Sequence, residues 1–366
     1  MSILTQASRQ WASRPDDERF TNLLELDAAV QASRDLSRER IIGSRHLQIA
    51  PAHGDETRGL QVHSSKGIAD LTHWSFGQLA GLAGAPAGYL RKLPAPIAAD
   101  ALNYGMRFER QAEDVGCLLQ QTDNGRPVLK AATGPRYGRV WNSDITTALV
   151  DRFGDGLTGD FRVPGEFGKE VRVTKQNTTL YASDRDMFVF LADEVNRIEM
   201  PNRRDGKSGS LARGFFLWNS EVGSQSMGAA FFLFDYACSN RIVWGAQGFK
   251  EIRIRHTASA PDKWLEEVSP VLMEYAQAAA QPVEDTIKAA QAKKLDGDLD
   301  AFLAKRFTKS QAVSIKAAHE AEEGRPMETL WDVTTGVTAF AKSIKWQDER
   351  VSMERAGGAI LDLVAA

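Results

Sequence analysis

Two apolar stretches, FFLWN at Phe215–Asn219 and MGAAFFLF at Met227–Phe234, decide the fold of this 366-residue chain. Each is far shorter than a membrane helix and rich in aromatic residues, which predicts buried β-strands. Both lie in a segment from Phe161 to His256 that Gly, Asn and Asp interrupt every 8 to 14 residues. Short neighbouring strands with tight turns favour an antiparallel sheet.

The strands of this central segment can be placed from alternation and turn residues, and helices are expected around them. Before it, the pattern predicts a hairpin over 47–64, a strand over 115–121 and a helix that begins at Ser143 and ends at Gly154. After Pro261 the periodicity is helical, with helices over 299–307, 309–322, 326–343 and 348–363. The central strands are predicted at Val171–Thr174, Thr179–Ala182, Met187–Ala192, Phe215–Asn219, Ala229–Ala237, Ile242–Gly245 and Glu251–His256.

These elements predict an α+β protein with a central, mostly antiparallel sheet and flanking helices, followed by a helical C-terminal part. The expected divisions are a loosely attached N-terminal arm (1–45), an α+β core domain (46–258) and a helical C-terminal region (259–366). A weak helical pattern runs through Leu23, Leu26 and Val30 of the arm.

The composition is that of an ordinary globular protein, with 43% hydrophobic and 25% charged residues. Its net charge of −3 means that any nucleic-acid binding must use a local basic patch. The two cysteines, Cys117 and Cys238, match neither a disulfide framework nor zinc-ligand spacing. With no apolar stretch of signal-peptide or membrane-helix length, a cytoplasmic protein with no membrane partner is expected.

Several partial matches to catalytic or ligand-binding motifs fail on their context. Gly154–Gly159 matches the dinucleotide fingerprint but follows a helix and precedes a strand, so a glycine-rich turn is expected instead. Gly206–Ser208 ends like a phosphate-binding loop, but Pro201 replaces its first glycine. Asp296–Asp300 lacks the turn glycine and the closing glutamate of a calcium loop. The six histidines match no metal motif. We therefore expect no catalytic residue, metal or cofactor, and favour a protein that is not an enzyme.

Basic residues gather in three groups that could contact nucleic acid. The first group lies in a Gly/Ser-rich loop. The second is on the strand Glu251–His256, where alternation puts Arg253 and Arg255 on one face. The third is the stretch Arg136–Trp141, in which arginines and aromatic residues are interspersed. Basic grooves with stacking aromatics bind single strands without reading sequence. The alternative is a solvated strand face, a surface loop and packed aromatics. The candidate residues are Arg136, Arg139, Arg203, Arg204, Lys207, Arg213, Arg241, Lys250, Arg253 and Arg255.

Three stretches together are similar to those of a known family: Arg136–Ser143, Gly214–Gly223 followed by Tyr236–Trp244, and Leu330–Ala341. Their order resembles the phage/plasmid-like protein family catalogued as a domain of unknown function (DUF932), over about residues 115–363. The family has no established catalytic residues to carry over. The resemblance implies a setting in prophages, plasmids and integrative elements, near replication and recombination functions.

The most specific part of this resemblance is the segment Asn219–Gly223 together with the later Cys238–Asn240. The polar side chains and glycine of the first segment suit a structural turn between strands, or equally a loop that touches ligand.

The working hypothesis is a mobile-element protein of DNA metabolism that binds or anneals single-stranded nucleic acid through a basic sheet face and self-assembles. Single-stranded DNA is the favoured partner, and a homo-oligomer is expected. One alternative is an accessory protein–protein interaction factor that modulates host defence or replication, which predicts an exposed apolar patch. Another is an unrecognised hydrolase, which requires a polar pocket with perturbed carboxylates or histidines.

Overall fold

The computed structural model describes residues 14–52, 59–109, 114–123, 125–164, 172–200, 209–235, 240–242, 251–295, 299–344 and 347–364. The strands are β1 Arg19–Phe20, β2 Ser37–Gly43, β3 Gln48–Pro51, β4 Leu60–Ser64, β5 Gly67–Leu71, β6 Asp114–Gln120, β7 Val128–Thr133, β8 Phe161–Arg162, β9 Leu180–Ala182, β10 Met187–Asp193, β11 Ile198–Met200, β12 Gly209–Asn219, β13 Met227–Asp235, β14 Asn240–Ile242 and β15 Ile252–Ile254. The helices are α1 Leu23–Asp35, α2 His73–Leu82, α3 Ala87–Leu90, α4 Ala95–Tyr104, α5 Asn142–Phe153, α6 Ala260–Lys263, α7 Ser269–Gln277, α8 Gln281–Ala292, α9 Leu299–Ala304, α10 Lys309–Glu323, α11 Leu330–Ser343 and α12 Gln347–Leu361.

The strands form two sheets, and the α+β class is confirmed. The larger sheet has the order β1-β9-β10-β12-β13-β14, with β8, β11 and β15 paired at its sides, and all of its pairings are antiparallel. The smaller sheet has the order β2-β6-β7-β5-β4-β3, in which β5 and β7 pair in parallel and the other described pairs are antiparallel. The predicted hairpin over 47–64 is its β3–β4 pair, whereas a second sheet was not foreseen.

Both faces of the larger sheet are buried. Alternation along β12 puts Phe215 and Leu217 on a face that packs against α1, α5 and α7, while Phe216 and Trp218 lie in an aromatic cluster on the other face. Each of these four side chains is buried. The expectation of a solvent-facing basic sheet surface is therefore wrong for the body of this sheet, because apolar packing occupies both sides.

The described part of the predicted N-terminal arm belongs to the body of the protein. Helix α1 places Leu23 and Leu26 in the same core as the larger sheet, and β2 is an edge strand of the smaller one. The loose attachment expected for residues 14–45 is wrong, because the apolar stripe of α1 packs against α5. Residues 1–13 lie outside the described residues.

The turn after α5 and the C-terminal helices are confirmed, whereas one predicted strand is absent from the described residues. Helix α5 ends at Gly154, whose φ of 61° suits glycine, and the Asp155 carboxylate accepts hydrogen bonds from Leu157 and Thr158, so the glycine-rich segment is the expected turn. No strand forms at 172–174, and Val171 is outside the described residues. Helices α9 to α12 correspond to the four helices expected after residue 298, and they share a core with Leu211 and Leu233 of the larger sheet. No described helix has the length and apolarity needed to cross a bilayer.

Candidate functional site

The structure describes the side chains of five of the ten predicted basic residues. Arg203, Arg204, Lys207 and Lys250 lie outside the described residues, and Arg241 is described only as backbone in β14. The five described side chains belong to Arg136, Arg139, Arg213, Arg253 and Arg255.

Arg213 is not a surface residue. Its side chain is buried, and Nη2 lies 2.9 Å from Oδ2 of Asp193, which is fully buried on β10. Nη1 donates a hydrogen bond of 2.5 Å to the carbonyl oxygen of Ala278, just after α7. Arg213 therefore joins two strands to a helix inside the core, and its prediction as a phosphate contact is wrong.

Arg139 is also buried, at 5% exposure, so its prediction as a contact residue is wrong as well. Its Nε donates to Oε1 of Glu39 at 2.8 Å, and its guanidinium carbon lies 5.1 Å from the ring centre of Tyr137 and 5.5 Å from that of Trp141. The alternation of arginines and aromatics seen in the sequence is thus used to build an internal cation–π stack.

The fold brings two of the predicted basic groups together. The backbone N–H of Gly138 donates to the carbonyl oxygen of His256 at 3.2 Å, and the rings of Tyr137 and His256 stack at 4.8 Å with an interplanar angle of 22°. Arg136 and Arg255, which flank this contact, are exposed. Gly138 and His256, which are 118 positions apart in sequence, therefore belong to one surface.

Arg253 extends this surface along β15. It is exposed and forms an ion pair with Glu251, which also pairs with Arg355. One carboxylate between two guanidinium groups leaves a net positive charge. Burial lowers the pKa of His256, and Arg139 lowers it further, so the ring is neutral at pH 7 and adds no charge. We call Arg136, Arg253, Arg255 and the Tyr137–His256 ring pair the Arg136/Arg255 surface.

The segment Asn219–Gly223 joins the two sheets. Tyr137 donates its hydroxyl hydrogen to the carbonyl oxygen of Ser220 at 2.8 Å, and both Trp74 and Gln78 of α2 donate to the carbonyl oxygen of Val222. Gly223 turns the chain with a φ of 79°. The structural interpretation of this segment is supported, but it does not account for Glu221.

Glu221 lines a cavity of about 350 Å³ at the junction of the two sheets. The cavity is bounded by α1, β7, the turn between β9 and β10, and the start of α5. Nine of its thirteen lining residues are polar or charged, and the lining comprises Asp17, Glu18, Phe20, Ala29, Val30, Ser33, Gln120, Lys130, Asn142, Ala182, Ser183, Asp184 and Glu221.

Lys130 reaches this cavity because of a β-bulge. Leu118 pairs with Ala131 and Leu119 pairs with Leu129, so Lys130 is the extra residue of β7, with no residue opposite it on β6. Bulges re-aim side chains, often next to functional sites. The side chain is 6% exposed, and within the described part of the chain its ammonium group has no hydrogen bond or ion pair.

The pKa values of Lys130 and Glu221 are both shifted toward the neutral forms. Burial lowers the pKa of Lys130, although the nearby Glu221 and Asp184 carboxylates oppose this. Burial likewise raises the pKa of Glu221, against the effect of Lys130 and of a 2.8 Å hydrogen bond from the backbone N–H of Asn142. Perturbed groups of this kind in a cavity mark a functional-site candidate.

Sequence reasoning missed both residues as site residues. The available signal was a lysine inside the otherwise apolar run Val128–Ala132, since buried strands seldom carry an unpaired charge. The bulge and the approach of Glu221 depend on pairing between distant segments, which periodicity does not report.

Comparison with known proteins identifies a family. A family model described as a domain of unknown function, DUF932, matches residues 168–365, which is more than half of the chain. The resemblance seen in the sequence is confirmed over this range, and the match begins after the Arg136–Ser143 stretch. No curated protein and no solved structure gives a significant match.

Proposed function

The chain belongs to the DUF932 family, a domain of unknown function, so we infer its function from its own geometry. We propose that it binds single-stranded nucleic acid on the Arg136/Arg255 surface. The observation that carries the proposal is the contact between Gly138 and His256, which unites two separately predicted basic groups beside a pair of stacked rings. Guanidinium groups contact the phosphates of single strands, and the two half-buried rings hold together the segments that carry these groups.

The finer parts of the proposal follow from this chemistry and from the setting that the resemblance implies. The partner is single-stranded DNA of a phage, plasmid or integrative element, and the role is non-enzymatic binding or annealing during recombination in the cytoplasm. Several copies assemble along a strand, because three arginines engage only a few phosphates. Binding of this kind is insensitive to base sequence, since phosphate contacts carry no sequence information.

The double variant Arg136→Glu/Arg255→Glu tests the proposal. We expect weaker binding to oligothymidylate and to a mixed-sequence strand alike, because both contact residues reverse their charge. The plot of log affinity against log salt should also become shallower by about 1.4, at about 0.7 per lost phosphate contact on a single strand. Fluorescence anisotropy at several salt concentrations measures both quantities.

The matched control is Lys305→Glu/Lys309→Glu, which changes the net charge by the same amount at two exposed lysines near the start of α10. This variant should bind almost as the parent protein does. An equal loss of affinity in both double variants, or unchanged binding in the first, would rule out the Arg136/Arg255 surface.

A second candidate function, the protein–protein interaction factor, is favoured by a different surface. Ile97, Tyr104 and Phe108 are 54%, 58% and 69% exposed and recur at helical spacing along α4 and the turn after it. The rings of Tyr104 and Phe108 lie 5.0 Å apart. This apolar stripe is on the smaller sheet's side of the protein.

For this candidate, the Tyr104→Ser/Phe108→Ser variant should lose self-association that the parent protein shows in sedimentation velocity, because the exposed apolar area that drives association is removed. Nucleic-acid binding should persist in this variant if the protein binds nucleic acid on the Arg136/Arg255 surface. A parent protein that sediments as a monomer at all concentrations would contradict the apolar stripe as an association surface.

A further inference from the structure

The cavity at the junction of the two sheets contains Lys130, which has no hydrogen bond or ion pair within the described residues. The other lining residues limit which ligands can bind beside it. Four carboxylates line the space, from Asp17, Glu18, Asp184 and Glu221, against the single amine of Lys130. An anionic ligand such as a phosphate would face a net negative lining, which opposes its entry. The cavity is therefore distinct in its chemistry from the basic Arg136/Arg255 surface.

The remaining lining suits a small neutral molecule. Phe20 and Val30 provide apolar wall, and the polar side chains of Ser33, Gln120 and Ser183 line the rest of the space. Gln120 donates a hydrogen bond to Ser33, and Ser183 donates one to Asp186. Among the described residues, no group of three His, Cys, Asp or Glu side chains is arranged to hold a metal ion. A cavity of about 350 Å³ is at the small end of ligand-binding sites.

We propose that this cavity binds a small neutral aldehyde or ketone and that Lys130 forms an imine with its carbonyl carbon. The proposal rests on geometry: a bulge in β7 directs Lys130 into the cavity, and the side chain is more than nine-tenths buried with no partner in the described residues. Desolvated lysines are the amines that proteins use as carbonyl nucleophiles.

The reaction needs only groups that line the cavity. The neutral amine attacks the carbonyl carbon, and a proton moves from nitrogen to oxygen to give a carbinolamine. The hydroxyl group leaves as water with a proton from the Glu221 carboxyl group, while the nitrogen lone pair closes the C=N bond. The iminium proton then returns to Glu221. Amine and carbonyl thus give imine and water, with no oxidant or reductant.

The protonation states needed for this step agree with the surroundings. Burial lowers the pKa of Lys130, with Arg139 lowering it further and Glu221 and Asp184 raising it. Burial raises the pKa of Glu221, against the opposing effects of Lys130, Arg139 and Arg34. More of the amine is therefore unprotonated, and more of the carboxyl group protonated, at neutral pH than in exposed counterparts, which are the forms that the reaction needs.

Trapping by reduction tests the proposal. The native protein is treated with glycolaldehyde and sodium borohydride at neutral pH, digested, and analysed for alkylated lysines by mass spectrometry. Lys130 should be modified several-fold faster than the exposed Lys305 and Lys309, because its lowered pKa leaves more of its amine unprotonated. The preference should vanish in urea, where all lysines are solvated alike.

Two variants sharpen the result. Lys130→Met should remove this rapid modification, and Glu221→Gln should slow it while leaving the modification of Lys305 unchanged. If neither variant folds, the comparison of native and urea-unfolded parent protein still decides the matter. Native Lys130 that reacts no faster than Lys305 would overturn the proposal. That result would leave nucleic-acid binding untouched, since the two sites use different residues.

Discussion

The variant Arg213→Met should lower the free energy of unfolding by about 3–5 kcal/mol, the usual loss when one partner of a buried ion pair is removed. Asp193 would then remain inside the core as a charge with no opposite charge, at 0% exposure. The carbonyl oxygen of Ala278 would lose a donor too. Urea denaturation followed by tryptophan fluorescence measures the change.

The internal controls for this prediction are a surface ion pair and a double variant. On α8, Nζ of Lys288 lies 3.4 Å from Oε2 of Glu284, four residues earlier. Lys288→Met should therefore lower the free energy of unfolding by no more than about 0.5 kcal/mol. Adding Asp193→Asn to Arg213→Met should restore part of the stability, because no unpaired charge remains. A loss below about 1 kcal/mol for Arg213→Met would show that the buried pair contributes little.

The variant Gly138→Ala should destabilise the protein by about 1–3 kcal/mol, because the new methyl group has no room. An ideal Cβ on Gly138 would lie 1.8 Å from the carbonyl oxygen of Thr257, so one backbone must shift. That shift separates Gly138 from His256 and moves Arg136 away from Arg255. Affinity for single-stranded DNA should therefore fall together with stability.

Gly134→Ala is the matched control for this prediction. Gly134 lies in the same connection between β7 and α5, and a Cβ there would meet nothing within 4 Å. Replacing it should raise stability by about 0.4–1 kcal/mol, since alanine restricts the unfolded chain. If both glycine variants changed the free energy of unfolding by the same amount in the same direction, the close contact at Gly138 would not explain the effect there.

Local features of the fold could be predicted, because each depends on residues close together in sequence. The end of α5 at Gly154, the β3–β4 hairpin and the helices after residue 298 all follow from periodicity and turn residues within a few positions. The strand predicted at 171–174 does not form over 172–174, where the backbone N–H of Thr174 instead donates to Oδ1 of Asn177 in a turn.

The candidate sites were harder to predict, because charge and exposure are separate properties. The arginines at 139 and 213 carry the same charge as those at 136 and 255, yet the first two are buried in ion pairs with Glu39 and Asp193. Alternation along a strand assigns a face but does not tell whether another layer covers it. Only the positions of α1, α5 and α7 on the larger sheet show that Arg213 is internal.

Hydrophobic and turn-forming residues alone were enough to establish the α+β class, the antiparallel strands around Phe215 and the helical C-terminal part. These properties depend on interactions along a single stretch of chain. Packing between distant stretches decided the rest: the second sheet, the burial of α1, the contact of Gly138 with His256 and the bulge that directs Lys130 toward Glu221. Such contacts are set by how layers fit together, so no local pattern contains them.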